Sequence, residues 1–175
     1  MHLEAAALDD LPALHALIES AYRGDSARRG WSHEADLLDG QRTDLESLKA
    51  MLSDSAQHLL VFRDNEKLRA CVALTDKGDR LAYLGMLTVD PARQSAGLGK
   101  LILAAAHDHA VNFGATRVEM TVIAQRAELI AWYERRGYRL TGERRPFPAQ
   151  DPRFGLPRRD DLEYVVLEKA LTSSE

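Results

Sequence analysis

Apolar positions recur along this chain at two periods, and each change of period marks the edge of an element. Leu11, Leu14, Leu17, Ile18 and Ala21 fall on one helical face. Asp9 or Asp10 supplies a cap, Pro12 is tolerated in the first turn, and Gly24 supplies a stop. Residues 2–8 ahead of this helix form a short first strand. Thr43-x-x-Glu46 reads as a capping box before Leu45, Leu48 and Leu52, which predicts a second helix over 44–54. Segments 58–63 and 67–75 are strand-like and flank Asp64-Asn65-Glu66, a turn composition. Lys77-Gly78-Asp79 marks the next turn, and a strand follows over 80–89. Leu98, Leu101, Ile102 and Ala105 open a helix that runs to Phe113 and ends at Gly114. A β-branched strand over 116–123, a helix over 128–136 stopped by Gly137, and a strand from Tyr138 to Thr141 complete this half.

From Arg144 to Arg159 the composition changes to proline, arginine and aspartate. Four prolines argue against regular structure there, with Phe147, Phe154 and Leu156 tucking the loop against the body. Its arginines alternate with Asp151, Asp160 and Asp161, which suits a solvated loop or, as the alternative, a lid or a partner's contact. A last strand spans 162–167 and residues 172–175 fray. Three hairpin-linked strands followed by strands alternating with helices predict an α/β fold, a mixed sheet covered by helices.

Composition narrows the class. A chain of 175 residues suits one domain, 1–175, with a real core. Apolar content of 45% and charged content of 29% are ordinary for a soluble globular protein. A net charge of −4 argues against a bulk electrostatic grip on nucleic acid. Cys71 is the single cysteine and sits in an apolar run, so it cannot form an internal disulfide; a cytoplasmic setting is the default expectation. The N-terminus lacks the basic and apolar regions of a signal peptide, and no apolar run approaches the roughly 18 residues of a membrane span. His107 and His109 lie two apart on a helix and point to different sides, which excludes a shared metal and places them at the surface or helix edge; no metal site is expected.

The densest chemical signal is L-T-V-D-P-A-R-Q-S-A-G-L-G-K-L-I-L, Leu87 to Leu103: a strand, a polar loop with two glycines, and a helix. Free N–H groups at a helix N-terminus, with the dipole behind them, form an anion site, and glycine lets a phosphate approach the backbone. A P-loop is excluded because Leu101 follows Lys100 and Gln94 stands where the first glycine belongs. A dinucleotide fingerprint is excluded because residue 102 is isoleucine. What remains is Gln94-x-x-Gly97-x-Gly99. This resembles the acyl-CoA pyrophosphate loop of the GNAT superfamily of N-acetyltransferases, with pattern [RQ]-x-x-G-x-[GA]. A second stretch, Arg126 to Tyr138, is similar to that family's N-x-x-A-x-x-x-Y-E-[KR]-x-G-[FY] segment. Tyr133, Glu134, Arg135, Gly137 and Tyr138 match, whereas Arg126 replaces asparagine and Leu129 replaces alanine. The bland alternative for this stretch is an amphipathic helix with Trp132 and Tyr133 in the core.

The resemblance implies a GNAT-like fold, a twisted mixed sheet of about seven strands with about four flanking helices. It implies acetyl-CoA as cosubstrate and a small or peptide amine as acceptor, with neither nucleic acid nor membrane as partner and with room for a homodimer. The N–H of Leu87 or a neighbour would polarise the thioester oxygen, Val89 and its neighbour Thr88 would pair with the pantetheine arm, and the amides of Gln94, Ser95, Ala96, Gly97, Leu98, Gly99 and Lys100 would hold the pyrophosphate. Arg126 would stand at the cofactor arm or reach an acidic group. Tyr133, with a reference pKa near 10, would protonate the leaving thiolate. Glu119 leads the candidates for the base, with Glu34, His33 and a water chain as alternatives. Trp31, Glu34 and Arg42, in the region that caps the acceptor side of similar proteins, are the candidate substrate contacts. A CoA-binding regulatory or scaffold protein of the same fold is the competing expectation.

Overall fold

The computed structural model describes residues 1–172; the last part of the expected frayed tail lies outside the described residues. A strand β1 (Glu4–Ala5) leads into α1 (Leu11–Tyr22), the short α2 (Gly24–Ala27), β2 (Leu38–Asp39) and α3 (Leu45–Ser53). Three antiparallel strands follow: β3 (Gln57–Asp64), β4 (Lys67–Asp76) and β5 (Leu81–Val89). Then come α4 (Leu98–Asn112), β6 (Arg117–Ile123), α5 (Ala127–Glu134), β7 (Arg139–Pro146), β8 (Leu156–Pro157) and β9 (Glu163–Ala170). Seven strands form one mixed sheet in the order β1-β3-β4-β5-β6-β9-β7, and β2 and β8 form a separate two-stranded ribbon.

Each face of the sheet is covered because the apolar stripes require it. The whole predicted stripe of α1 is buried, and α1 and α3 bury Leu14, Ile18 and Leu48 against Leu59, Val61 and Cys71. Each such side chain contributes about 1.5–3 kcal/mol of burial. The opposite face carries α4 and α5, where Ile102, Leu103 and Ala106 pack on Leu74, Val118 and Met120. Gly97, Gly114 and Gly137 all sit at positive φ where helices begin or end, as a residue without a Cβ allows.

Several expectations are corrected. The cap of α3 is Asp44, whose carboxylate accepts from the Ser47 N–H at 2.7 Å, while Thr43 is buried and its N–H donates to Glu19 at 2.9 Å. The proline-rich segment is more regular than predicted. β7 continues to Pro146 because it is an edge strand, where a missing N–H breaks no ladder, and Leu156–Pro157 pairs with Leu38–Asp39. Phe147 is buried, but Phe154 and Leu156 are exposed. His107 is no surface residue: it is half-buried and shares a 2.7 Å hydrogen bond with the buried Tyr138 hydroxyl.

Burial pushes the His107 imidazole down from 6.5 to about 4. Above pH 6.5 both the folded and the unfolded chain hold it neutral. As pH falls, the unfolded chain takes up the proton first, so stability is lost between 6.5 and about 4. Urea unfolding at about pH 8 and about pH 5 should give a loss in the wild type about 2 kcal/mol larger than in His107→Gln.

Candidate active site

The site begins with a defect in strand pairing. β5 and β6 are parallel, but only Leu81, Ala82 and Tyr83 pair with β6, opposite Arg117, Val118 and Glu119. Both strands run on past that point, so their C-terminal halves part and open a wedge in the sheet. Such a crevice at the carboxyl ends of parallel strands is a recurrent binding place.

A bulge in β5 re-aims the backbone at the mouth of this wedge. Cys71 pairs with Thr88 and Ala73 with Gly85, so β5 has one residue more than β4 between the two pairs, and Met86 takes φ +55. The Met86 carbonyl turns towards β4 and its own strand, accepting from the Thr88 hydroxyl at 2.9 Å and the Cys71 thiol at 3.6 Å. In a planar trans peptide the N–H opposes the carbonyl, so the Leu87 N–H is turned the other way. The Leu87 carbonyl accepts from the Tyr22 hydroxyl at 2.7 Å, which ties α1 to the bulge.

Two cavities meet here. The first, of about 210 Å³, is bounded by Leu87, Thr88 and Val89, by Gln94, Ser95, Gly97, Gly99 and Lys100, and by α5 through Arg126, Trp132 and Tyr133. The helix α4 starts against it, and amides in the first turn of a helix have no intrahelical acceptor. A Cβ on Gly97 would meet nothing within 4 Å, and at φ +81 the position is strained for any other residue. This donor-lined cradle therefore fits a diphosphate and an extended arm beside β5. Ala96 in the loop and Leu98 at the start of α4 contribute no wall. Gln94 has an additional role: its side chain accepts from the Ser32 N–H at 3.0 Å and donates to the Val89 carbonyl at 3.3 Å. The loop after α2 is thereby pinned across the cavity, and Trp31 faces Trp132 at 6.3 Å between ring centroids.

The second cavity, of about 270 Å³, lies in the wedge itself. Tyr83 and Leu84 of β5, Thr121 and Val122 of β6, and Phe147 and Tyr164 wall it, and Arg23, Glu34, Arg42 and Arg126 supply its charge. Glu34 is bracketed by Arg23 at 2.5 Å and Arg126 at 3.4 Å. Tyr22, Leu87, Arg126, Leu129 and Tyr133 line both cavities.

The structure thus brings most of the candidate residues together. Tyr133 is buried, packs edge-on against Trp132 and Tyr138, and bounds both cavities; burial raises its phenol well above the usual tyrosine range. Among the described residues its hydroxyl has no hydrogen-bond partner. Glu34 and Arg42 line the second cavity, whereas Trp31 lines the first. Glu119 is turned away from the buried Val118 and Met120, as alternation requires, but it lines neither cavity and faces Arg145 at 3.4 Å. Sequence reasoning missed Arg23, which directly follows α1, and Tyr164, the second residue of β9, because neither belongs to a motif. Cys71 is buried beneath the bulge, and desolvation pushes its thiol up to about 12.

No helix among the described residues is long and apolar enough to cross a membrane. The model of the acetyltransferase (GNAT) family matches residues 12–138. No curated protein matches the sequence. Among solved structures, the ribosomal-protein-S18-alanine N-acetyltransferase from Escherichia coli aligns at 17% identity over 99% of this chain and 96% of its own, with TM-score 0.69. A spermidine N-acetyltransferase chimera from Vibrio cholerae and hSSAT aligns at 17% identity over 97% of this chain and 95% of its own, with TM-score 0.72. The Salmonella typhimurium yncA structure, which contains acetyl-CoA, aligns at 17% identity over 99% and 95%, with TM-score 0.68. These likenesses fix the fold, and the family match fixes the kind of enzyme: the chain belongs to the GNAT family of acetyltransferases, which draw on acetyl-CoA.

Proposed function

We propose that this protein, as a single domain, transfers the acetyl group of acetyl-CoA to a primary amine by direct attack, with Tyr133 as the acid. The observation that carries this reading is the position of Tyr133 and Leu87 on the boundary between the two cavities. The first cavity takes the acyl donor: amides of 94–100 hold its diphosphate and the edge of β5 at Val89 aligns its arm. The second takes the amine. The Leu87 N–H donates to the thioester oxygen as charge develops on it, a contribution of a few kcal/mol for a preorganised donor. The amine nitrogen bonds to the acyl carbon, the carbon–sulfur bond breaks, and the sulfur takes the Tyr133 proton. The amine's surplus proton passes to water and a proton returns through water to the Tyr133 phenolate. No carboxylate takes it directly, because Glu119 is engaged with Arg145 outside the cavities and both oxygens of Glu34 are engaged by arginine. A covalent acyl-enzyme on Cys71 is disfavoured by its burial and its high pKa.

The test is release of free CoA from acetyl-CoA on addition of an amine library, together with binding. Acetyl-CoA at about one hundred times its Kd should stabilise the fold by about 2.7 kcal/mol, a rise in Tm of about 5–10 °C for a chain of this size. An unchanged melting curve at millimolar acetyl-CoA refutes the assignment of the first cavity.

A further inference from the structure

We infer that the second cavity selects a small amine that carries its own carboxylate, an amino-acid-like acceptor whose anion is held by Arg42 with Arg23 behind it. The inference rests on the acyl-transfer reading of the site and adds to it the class of acceptor. Three guanidinium groups, Arg23, Arg42 and Arg126, face this cavity against one carboxylate, Glu34. That carboxylate is already used: one oxygen accepts from Arg23 and the other from Arg126. A cationic acceptor therefore meets no free carboxylate there and an excess of positive charge.

Two of the guanidinium groups have capacity left. Arg42 has neither a side-chain hydrogen bond nor an ion pair among the described residues; it lies over the Tyr22 ring at 5.1 Å. Arg23 is 6% exposed, donates to Glu34 and to the Phe154 carbonyl, and keeps a buried Nε–H without a partner. The desolvated Arg23 Nε–H without an acceptor costs free energy, and a planar anion matches the open guanidinium fork of Arg42. A carboxylate seated at the Arg42 end leaves the amine of the same molecule to point towards Leu87 and Tyr133. The cavity, at about 270 Å³, lies just below the roughly 300–1,000 Å³ of ligand pockets, which suits a small acceptor. Phe147, Pro148 and Phe154 roof it, which fits a free small molecule better than a protein chain.

The experiment compares free amino acids, their α-carboxamides and spermidine as acceptors, with CoA release as the readout. At least one amino acid should exceed its carboxamide in kcat/KM by about 10–100-fold, the range expected for a charge-assisted hydrogen-bond pair, with spermidine poorest. Arg42→Gln should raise KM for that amino acid by a similar factor with kcat little changed, and Arg42→Lys should recover part of the loss. Carboxamides or spermidine that react as well as amino acids overturn the proposal, as does transfer confined to peptide amino termini. If acetyl-CoA raises the Tm but no amino acid either reacts or adds further stabilisation, the acceptor assignment alone is overturned. If acetyl-CoA does not bind at all, the acyl-transfer reading fails and takes this inference with it.

Discussion

Tyr133→Phe should lower kcat by about 10²–10⁴-fold while leaving acetyl-CoA affinity within about twofold. The substitution removes one oxygen and little else. The ring keeps its edge-on contacts with Trp132 at 5.0 Å and Tyr138 at 5.5 Å, so the packing of α5 persists. The lost group is the hydroxyl of a buried tyrosine that lines both cavities, and burial holds its proton firmly, since the anion is the form that desolvation penalises. The sign follows for pH: raising the phenol's pKa keeps the acid protonated through the neutral and mildly alkaline range. No fall in kcat from Tyr133 ionisation is expected below about pH 10. Steady-state kinetics with the best acceptor, beside a binding isotherm for acetyl-CoA, check this. A variant as fast as the wild type removes Tyr133 from the acid role.

The largest expected loss of stability comes from Glu34→Gln. Glu34 and Arg23 have side chains only 12% and 5% exposed, and their contact is 2.5 Å. Two charges withdrawn from water gain little net free energy as a pair, but removing one leaves the other desolvated and alone, at about 3–5 kcal/mol. Glutamine keeps an acceptor oxygen, so the lower end applies, about 3 kcal/mol or a fall in Tm of about 6–12 °C. Replacing both residues by apolar side chains of similar size should recover much of that loss. A loss under about 1 kcal/mol in denaturant unfolding would place the pair among screened surface contacts.

How much of this was legible in the sequence varies from segment to segment, for physical reasons. The strand, loop and helix from Leu87 to Leu103 could be read because each part is locally determined: β-branched residues, then a glycine at φ +81, then an apolar stripe. The stripe of α1 was equally local. The bulge was not, because a methionine rather than a glycine or asparagine adopts the left-handed conformation at Met86, held by partners on β4 and α1. The direction of Glu119 followed from alternation, but its partner Arg145 comes from an edge strand that proline content had argued against. Glu34, Arg42 and Arg126 were candidates from the sequence, but their convergence with Arg23 around one cavity was hidden, because residues 23–42 and Arg126 lie far apart in the chain and meet only in the folded protein.

The parting of β5 from β6 divides the work along the chain. On the proposed reading, chemistry is carried by residues around Leu87, the 94–100 loop and Tyr133, whereas selection of the acceptor falls to Arg23, Glu34 and Arg42 and to the residues between Phe147 and Tyr164. Substitutions in the two outer regions can therefore exchange one acceptor for another while the thioester machinery stays intact, which gives descendants of this chain a route to new metabolic roles that does not pass through an inactive ancestor.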